Sequence, residues 1–285
     1  MKNILCFVFI FSVFQIGHVN AQSPRGVMDF FDDAFSSMEN AFNQNEFSAE
    51  DEYYLGRAVA ANILANYKPY AENSELTRYV NRICQTIAIN SLQPVIFNGY
   101  HVIILDSQEY NAFASPAGHI FLTRALVEAA SSEDMLAALI AHELAHVMLR
   151  HGTTIIDDMR FYDQAGDLAR QAADLAGTTQ AAARLLEFRN SVSTVVDTLF
   201  LNGYSQSQEF EADRESTALL AASGYDPAAL VEILQVLQNV QSTQKGGFNN
   251  THPAPADRIA NVQGLINRYR VEDTRTSRAS RFKNK

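Results

Sequence analysis

The pattern of apolar and polar positions divides the chain into helical stretches around a short β region. From Tyr53 to Ala88, apolar residues recur at intervals of three and four, and Pro69 divides the stretch into two predicted helices. After Pro94 the sequence becomes rich in aromatic and β-branched residues, which favour extended strands. We expect three strands in a small antiparallel sheet, at residues 100–105, 111–115 and 119–123.

The helical period returns at Ser132, where a capping serine followed by two acidic residues suits a helix start. This helix is predicted to end at Gly152, and residues 153–204 show an interrupted helical pattern rich in Ala and Gln. Three further helices are predicted, at residues 205–223, 228–238 and 257–270. We therefore predict an α+β fold that is mostly α, with the small sheet lying over the helix that begins at Ser132.

The helix from Ser132 contains His142-Glu143-Leu144-Ala145-His146, an HExxH motif. On a helix the two histidines lie about 40° apart and one turn along, so both imidazoles can bind one tetrahedral zinc ion. Glu143 lies within about 60° of His146, where it can reach a water near the metal without being a ligand. The alternative is two surface histidines, but their apolar neighbours predict burial, and buried polar groups need partners.

A zinc site with two histidines needs a third protein ligand, and the acidic cluster at residues 209–213 is the obvious donor. On a helix, Glu209 and Asp213 share a face, so Glu209 can bind the metal while Asp213 orients a histidine ligand. Glu211 points about 200° away and forms a competing stripe with Glu215. The alternative for each of these acids is a solvated, charged helix face.

Taken together, the motifs resemble those of the gluzincin metallopeptidases of the HtpX and CAAX prenyl endopeptidase family. The resemblance covers residues 50–270 and is nearest to the soluble, periplasmic BepA-like branch. HExxH alone does not distinguish families, whereas its order with Glu-x-x-Ala-Asp at 209–213 and with His252-Pro253 is specific. Further matching pieces are Glu75-Leu76, Tyr79 to Ile83, Asn111 to Ala114, Gly118 to Phe121, Gly224 to Pro227 and Arg258.

The resemblance implies a zincin-type metallopeptidase domain that holds one Zn2+ per chain. It implies three metal ligands, His142, His146 and Glu209. It also implies that Glu143 is the general base and that Asp213 supports the site. Four residues are expected to form an edge strand that pairs with an extended substrate, although Pro116 could instead blunt that edge. These four residues are Asn111, Ala112, Phe113 and Ala114.

The resemblance also places His252 near the metal, as a fourth ligand or as a donor to an oxyanion, and Arg258 as a support. The alternative for His252 is a residue at a helix entry. The sequence departs from the family pattern at two points. Pro116-Ala117-Gly118 stands where Pro-Gly-Gly is usual, and Ser205-Gln206 stands where Ser-Arg is usual. These departures concern substrate contacts and site support, and the ligands are intact.

Composition and charge exclude several classes of protein. Of the 285 residues, 47% are hydrophobic and 19% charged, which is a globular composition. The formal charge of −10 repels phosphate backbones, so we expect no nucleic-acid partner. Only Cys6 and Cys84 are present, and Cys6 lies in a predicted leader. We therefore expect no intramolecular disulfide, and we expect Cys84 to be a buried small residue.

The two ends differ from the middle of the chain. Residues 1–21 have the charged start, apolar run and small-residue cleavage site of a signal peptide, which predicts export to a periplasm or secretion. Residues 22–49 form an acidic, Phe-rich arm that either packs on the body or docks a partner. Residues 50–270 are the predicted metallopeptidase domain, and 271–285 a basic, flexible tail. No transmembrane segment is expected after signal cleavage.

The sequence therefore predicts a zinc endopeptidase acting on extended, unfolded or misfolded polypeptides of the cell envelope, in protein quality control. An alternative is a metal-stabilised chaperone or assembly factor for envelope proteins, with a latent protease site. A third interpretation is an exopeptidase, which would release single residues.

Overall fold

The structure is a computed structural model that describes residues 48–154, 192–193, 195–197, 203–241, 252, 255–271 and 274–283. The predicted signal peptide, the arm up to residue 47 and most of residues 153–204 lie outside the described residues. The described helices are α1 (Ala49–Asn66), α2 (Ser74–Ile89), α3 (Arg124–Ala129), α4 (Glu133–Met148), α5 (Gln206–Ala222), α6 (Ala228–Gln241), α7 (Pro255–Ile266) and α8 (Arg275–Lys283). The strands are β1 (His101–Leu105), β2 (Ala112–Ser115) and β3 (His119–Thr123).

The three predicted strands form one sheet in the order β1-β3-β2. β2 pairs with β3 in antiparallel fashion, as expected, but β1 pairs with β3 in parallel. The expectation of a wholly antiparallel sheet is corrected here. The chain reverses once between β1 and β2 and again at the Pro116–Gly118 turn, so β3 runs in the direction of β1 and lies between the other two strands. The mostly helical α+β class is confirmed.

The turn between β2 and β3 brings helix α1 very close. Ala117 has a left-handed backbone, with φ 60° and ψ 27°, and Gly118 follows with φ 91°. A left-handed conformation costs a residue with a Cβ roughly 1–2 kcal/mol, which gives a physical reason why glycine is usual at position 117. On the other side of the turn, a Cβ placed on Gly56 of α1 would lie 1.8 Å from the Pro116 carbonyl oxygen.

Side-chain caps fix where the site-bearing helices begin. Ser132 accepts a hydrogen bond from the Met135 amide at 3.1 Å, which confirms the predicted start of α4. Ser205 and Gln208 form a capping box at the start of α5. The predicted end of α4 at Gly152 is corrected, because the helix stops at Met148 and Arg150 takes a left-handed φ of 57°.

Helix α4 lies at the centre of the fold. Every one of its residues except Val147 is buried, since α2, α5, α6, α8 and the sheet all pack against it. A helix that is covered on every side has apolar or small residues around its whole circumference, and α4 carries Leu136, Leu139, Ile140 and Leu144 among several alanines. The HExxH motif is therefore held in the core of the molecule.

Residues 275–283 of the predicted basic tail form a docked helix, which corrects the expectation of a flexible segment for this part of the tail. Arg278 of α8 is 4% exposed, and its Nε donates to Asp134 Oδ2 at 2.8 Å. Arg281 donates from Nη2 to Glu133 Oε1 at 2.5 Å. These contacts satisfy the two acidic residues at the buried start of α4. Apolar periodicity did not predict α8 because charged side chains hold it in place.

Two apolar clusters form the core of the described residues. The larger cluster joins α2, the sheet, α4, α5 and α6, and the smaller one joins α1 to the other face of the sheet through Leu55, Phe113 and Phe121. Cys84 is fully buried in the larger cluster, and burial raises its pKa to about 12. This confirms the prediction that Cys84 is a buried small residue. Among the described helices, none has both the length and the apolar character that crossing a bilayer requires.

Candidate metal centre

The two motif histidines converge as their spacing predicts. His142 and His146 are both at most 2% exposed, and their Nε2 atoms lie 3.1 Å apart. When both neutral rings carry their proton on Nδ1, two Nε2 lone pairs face each other, and a shared cation satisfies both. Their position on one face of α4 follows from the i, i+4 spacing.

Helix α5 resolves the competition between the two acidic stripes. Glu209 and Asp213 are fully buried and face α4, whereas Glu211 is exposed and its Oε2 lies 3.4 Å from His151 Nε2. Glu209 Oε2 lies 3.4 Å from His142 Nε2, and its Oε1 lies 3.4 Å from His146 Nε2. The structure therefore brings Glu209, the residue that the family resemblance implies, to the motif histidines.

The donor atoms fit a tetrahedral metal ion. The Nε2 atoms of His142 and His146 lie 3.1 Å apart, and each lies 3.4 Å from one oxygen of Glu209, Oε2 for His142 and Oε1 for His146. We call these three groups the donor triangle. Two ligands of a tetrahedral zinc ion, each bound at 2.0–2.1 Å, lie about 3.3 Å apart. One donor atom each from His142, His146, Glu209 and His252 lies within 4.8 Å of the others. The donor set and its spacing suit zinc.

His252 closes the other side of the cluster. Its Nδ1 lies 2.7 Å from Glu209 Oε1, and its Nε2 lies 3.8 Å from Glu143 Oε1. His252 is 3% exposed and Glu143 is 1% exposed. The structure thus places His252 at the centre, where it faces both the third ligand candidate and the glutamate of the motif.

Arg258 of α7 forms a charged layer behind the donors. Its Nε and Nη2 donate to the two oxygens of Asp213 at 2.9 and 2.6 Å, and its Nη1 lies 3.0 Å from Glu209 Oε2. Asp213 Oδ1 in turn lies 3.2 Å from His142 Nδ1. A buried guanidinium between two carboxylates offsets one of their two negative charges, and the bidentate contact fixes Asp213 in orientation. The predicted support residues Asp213 and Arg258 therefore lie together.

Burial and charge act in opposite directions on the four central groups. Burial lowers the pKa of His146 well below its usual value. Burial and Arg258 also lower the pKa of His142, but the Asp213 and Glu209 carboxylates outweigh them and raise it to about 9. Burial raises the pKa of the Glu143 carboxyl. For Glu209, burial is overcome by the charges of His252 and Arg258, which hold its pKa well below the usual range.

Two residues at the centre were missed by sequence reasoning. His151 is 3% exposed, and its Nδ1 lies 2.9 Å from His146 Nδ1. The Tyr204 ring stacks on His146 with centroids 4.1 Å apart and planes 17° apart. The only signal for His151 in the sequence is that a histidine follows His146 by five residues. On a continuous helix, that histidine would point away from His146. The left-handed backbone at Arg150 is what returns it, and sequence spacing does not predict that bend.

The predicted substrate segment lies where expected but is covered. β2 is an edge strand of the described sheet, and it packs against α4. Asn111, Ala112, Phe113 and Ala114 are 1–4% exposed. The segment thus lies at an edge of the described sheet, and its pairing with a substrate stays a prediction.

A comparison with known protein families gives one match. The sequence profile of peptidase family M48 matches residues 71–266 of this chain. The matched range extends from just before α2 to the end of α7, so it contains the sheet, the HExxH helix and every residue of the cluster.

Individual relatives have low identity over most of the chain. The beta-barrel assembly-enhancing protease of Escherichia coli is 27% identical over 211 residues, which cover 71% of this chain and 41% of that protein. The protein of the same name from Yersinia pestis is 24% identical over 87% of this chain and 50% of its own length. Mitochondrial metalloendopeptidase OMA1 of Schizosaccharomyces pombe is 25% identical over 87% of this chain and 70% of its own. The chain thus spans half or less of these two bacterial relatives.

Proposed function

Because this chain belongs to peptidase family M48, we propose that it is a metalloendopeptidase that uses one zinc ion to cleave extended or misfolded polypeptides in the cell envelope. The observation that carries the proposal is the buried donor triangle of His142, His146 and Glu209, whose edges suit tetrahedral zinc. Relatives named for assembly of β-barrels, together with the predicted signal peptide, favour an envelope location and a role in protein quality control.

His142, His146 and Glu209 would hold the metal, and Asp213 and Arg258 would hold His142 and Glu209 in place. When bound, zinc supplies a Lewis acid that lowers the pKa of water and polarises a peptide carbonyl. The support is geometric, since Asp213 lies 3.2 Å from the outer nitrogen of His142.

Glu143 is proposed to be the general base. It takes a proton as the water oxygen attacks the carbonyl carbon, and it returns that proton to the amide nitrogen as the C–N bond breaks. Its Oε2 is buried and has no hydrogen-bond partner among the described residues, so it is free to accept this proton. Burial also raises the pKa of this carboxyl, which brings it nearer to the pH at which it has to give the proton back.

The substrate is proposed to bind as an added strand on β2, which is the edge strand beside α4. Pairing through the backbone selects an extended conformation more than particular side chains. Because Asn111 to Ala114 are at most 4% exposed, binding requires the covering of this edge to move. A folded protein cannot offer a free extended segment, which is why unfolded polypeptides are the proposed substrates.

The second candidate is a metal-stabilised chaperone or assembly factor for envelope proteins with a latent protease site. Two observations favour it. His252 faces Glu209 at 2.7 Å, at the side of the cluster that a fourth ligand would take, and β2 is covered. In this form the metal would stabilise the fold, while His252 would keep substrate away from the centre.

Digestion of an unfolded protein such as casein by the chain from Gln22 to Lys285 tests the first candidate. We expect internal cuts by the zinc-loaded protein, a loss of at least about 10²-fold in rate for Glu143→Gln with zinc retained, and no cutting after chelation. Unchanged cleavage by Glu143→Gln would refute the proposed base, and single-residue products would indicate an exopeptidase.

His252→Ala separates the two candidates. If the zinc-loaded wild type does not cut casein but His252→Ala does, the latent form is supported. If His252→Ala changes neither cleavage nor zinc content, a role for His252 at the centre is excluded.

A further inference from the structure

We propose that His151 is a positioning residue for His146, and that Glu211 completes a hydrogen-bonded relay behind this histidine. The inference rests on the proposed function, because it assigns the means by which one metal ligand is held. It concerns the outer face of the centre, away from Glu209 and His252.

His151 reaches this position through a break in the backbone. Helix α4 ends at Met148, Arg150 takes a left-handed φ of 57°, and the chain becomes helical again from His151. Without the break, a residue five positions after His146 would lie about 140° around the helix from it. The break returns the imidazole to the rear of His146, where it is 3% exposed and its Nδ1 lies 2.9 Å from His146 Nδ1.

Only one placement of the ring protons on His146 and His151 leaves His146 Nε2 able to bind a metal ion. His146 Nε2 lies in the donor triangle, so it has to keep its lone pair, and the proton of the ring is on Nδ1. His146 Nδ1 then donates to His151 Nδ1, which leaves the His151 proton on Nε2. That nitrogen lies 3.4 Å from Glu211 Oε2, which accepts from it.

The two motif histidines are therefore held in different ways. His142 has a buried, charged partner, because Asp213 Oδ1 lies 3.2 Å from its Nδ1. The described hydrogen bond of His146 Nδ1 goes to a second imidazole, whose carboxylate partner Glu211 is 48% exposed. Since α5 carries both Glu209 and Glu211, one helix contacts the donor triangle from the front and the relay from behind.

Stacking and hydrogen bonding fix different degrees of freedom of His146. The Tyr204 ring lies parallel to the imidazole, 4.1 Å away between centroids, and so restricts the plane of the ring. Stacking does not choose which nitrogen carries the proton, whereas the hydrogen bond to His151 does. Loss of His151 would free the tautomer of His146 while its ring stays in place.

Zinc affinity of the chain from Gln22 to Lys285 tests the relay, measured by competition with a chromophoric chelator. His151→Phe keeps the ring and removes the acceptor, and we expect zinc to bind roughly 10–100-fold more weakly. His151→Asn places a carbonyl oxygen near the Nδ1 position, and we expect it to restore most of the affinity. Glu211→Ala should weaken binding by up to about fivefold, since its partner is distant and half exposed.

Glu215→Ala is the matched control, because Glu215 lies one turn along the same face of α5 and should leave zinc affinity unchanged. A second readout is the long-range ¹H–¹⁵N spectrum of the zinc-loaded protein, in which His146 should carry its proton on Nδ1 in the wild type. We expect this assignment to persist in His151→Asn and to be lost in His151→Phe.

Wild-type affinity in His151→Phe, or an equal loss in His151→Phe and His151→Asn, would overturn the relay. If His151→Phe does not fold, two other results together would overturn the relay. Glu211→Ala would bind zinc with wild-type affinity, and His146 of the zinc-loaded wild type would carry no proton on Nδ1. Failure of the wild type itself to bind one zinc per chain would refute the proposed function, which keeps the two failures distinct.

Discussion

Partners decide the charge of a buried histidine in this protein. Carboxylates beside His142 overcome burial and raise its pKa to about 9. His119, at the start of β3, has no such partner: its buried Nδ1 lacks a hydrogen bond among the described residues. Burial, with the charges of His101 and Arg57, lowers the pKa of His119 to about 4. The pKa of the same side chain is thus raised at one position and lowered at another.

His119 should make the folded state sensitive to mild acid. An unfolded His119 binds its proton near its usual pKa of 6.5 and the folded one only near 4, so stability is lost as the pH falls between these values. The free energy of unfolding should fall by about 2 kcal/mol from this residue between about pH 7.5 and about pH 5. Denaturant unfolding of wild type and His119→Gln at both pH values measures it. An equal fall in the two proteins would contradict the assignment to His119.

Helices and turns in this fold meet through small residues. Alanines lie along α4 at 137, 138, 141 and 145, all fully buried, and they permit close approach by its neighbours. At Gly56 the approach is closer still, because α1 meets the turn that joins β2 and β3. The turn that follows the edge strand and α1 are therefore closely packed against each other.

Gly56→Ala should destabilise the protein, whereas the same change at Gly264 should not. A Cβ at position 56 would lie 1.8 Å from the Pro116 oxygen, while a Cβ at position 264 would meet no atom within 4 Å. We expect a loss of about 1–3 kcal/mol in the free energy of unfolding for Gly56→Ala. Gly264→Ala, in helix α7, should gain roughly 0.5–1 kcal/mol.

Chemical denaturation at a fixed zinc concentration measures both glycine variants. If Gly56→Ala is as stable as the wild type, the close approach of α1 to the Pro116 turn is wrong.

At the scale of the whole molecule, distant segments complete the surroundings of α4. Arg258 contacts His142, from which it is separated by 116 residues in the sequence, and Arg278 contacts Asp134, from which it is separated by 144 residues. The first contact lies at the metal centre, and the second at the opposite, buried start of the same helix. The far end of the chain therefore contributes to the placement of the HExxH helix.

Arg278→Ala should lower the free energy of unfolding by roughly 3–5 kcal/mol, because it leaves the Asp134 carboxylate buried without its charged partner. Both side chains of the pair are less than 10% exposed, so water cannot replace the lost contact. Thermal or denaturant unfolding at constant zinc measures the loss. Lys283→Ala, an exposed change in the same helix, should stay within about 0.5 kcal/mol of the wild type. Similar stabilities for the two variants would show that α8 is not held by Arg278.

Local signals in the sequence predicted much of this molecule. Ser132 and Ser205 marked two helix starts, and the i, i+4 spacing of the motif histidines placed both on one face. Helix geometry put Glu209 and Asp213 on one face, the family resemblance implied Glu209 as the ligand, and the structure brings Glu209 to the histidines. Such features were predictable because they depend on residues within about one helical turn of each other.

The sequence by itself determined the helix periods, the caps and the donor types, since each follows from side-chain chemistry and neighbouring positions. Only the tertiary structure decided three features: the parallel pairing of β1 with β3, the docking of α8, and the return of His151 behind His146. Each depends on a chain reversal or on a contact between distant segments. The backbone angle at Arg150 and the charge pair of Arg278 are set by surroundings that no local pattern contains.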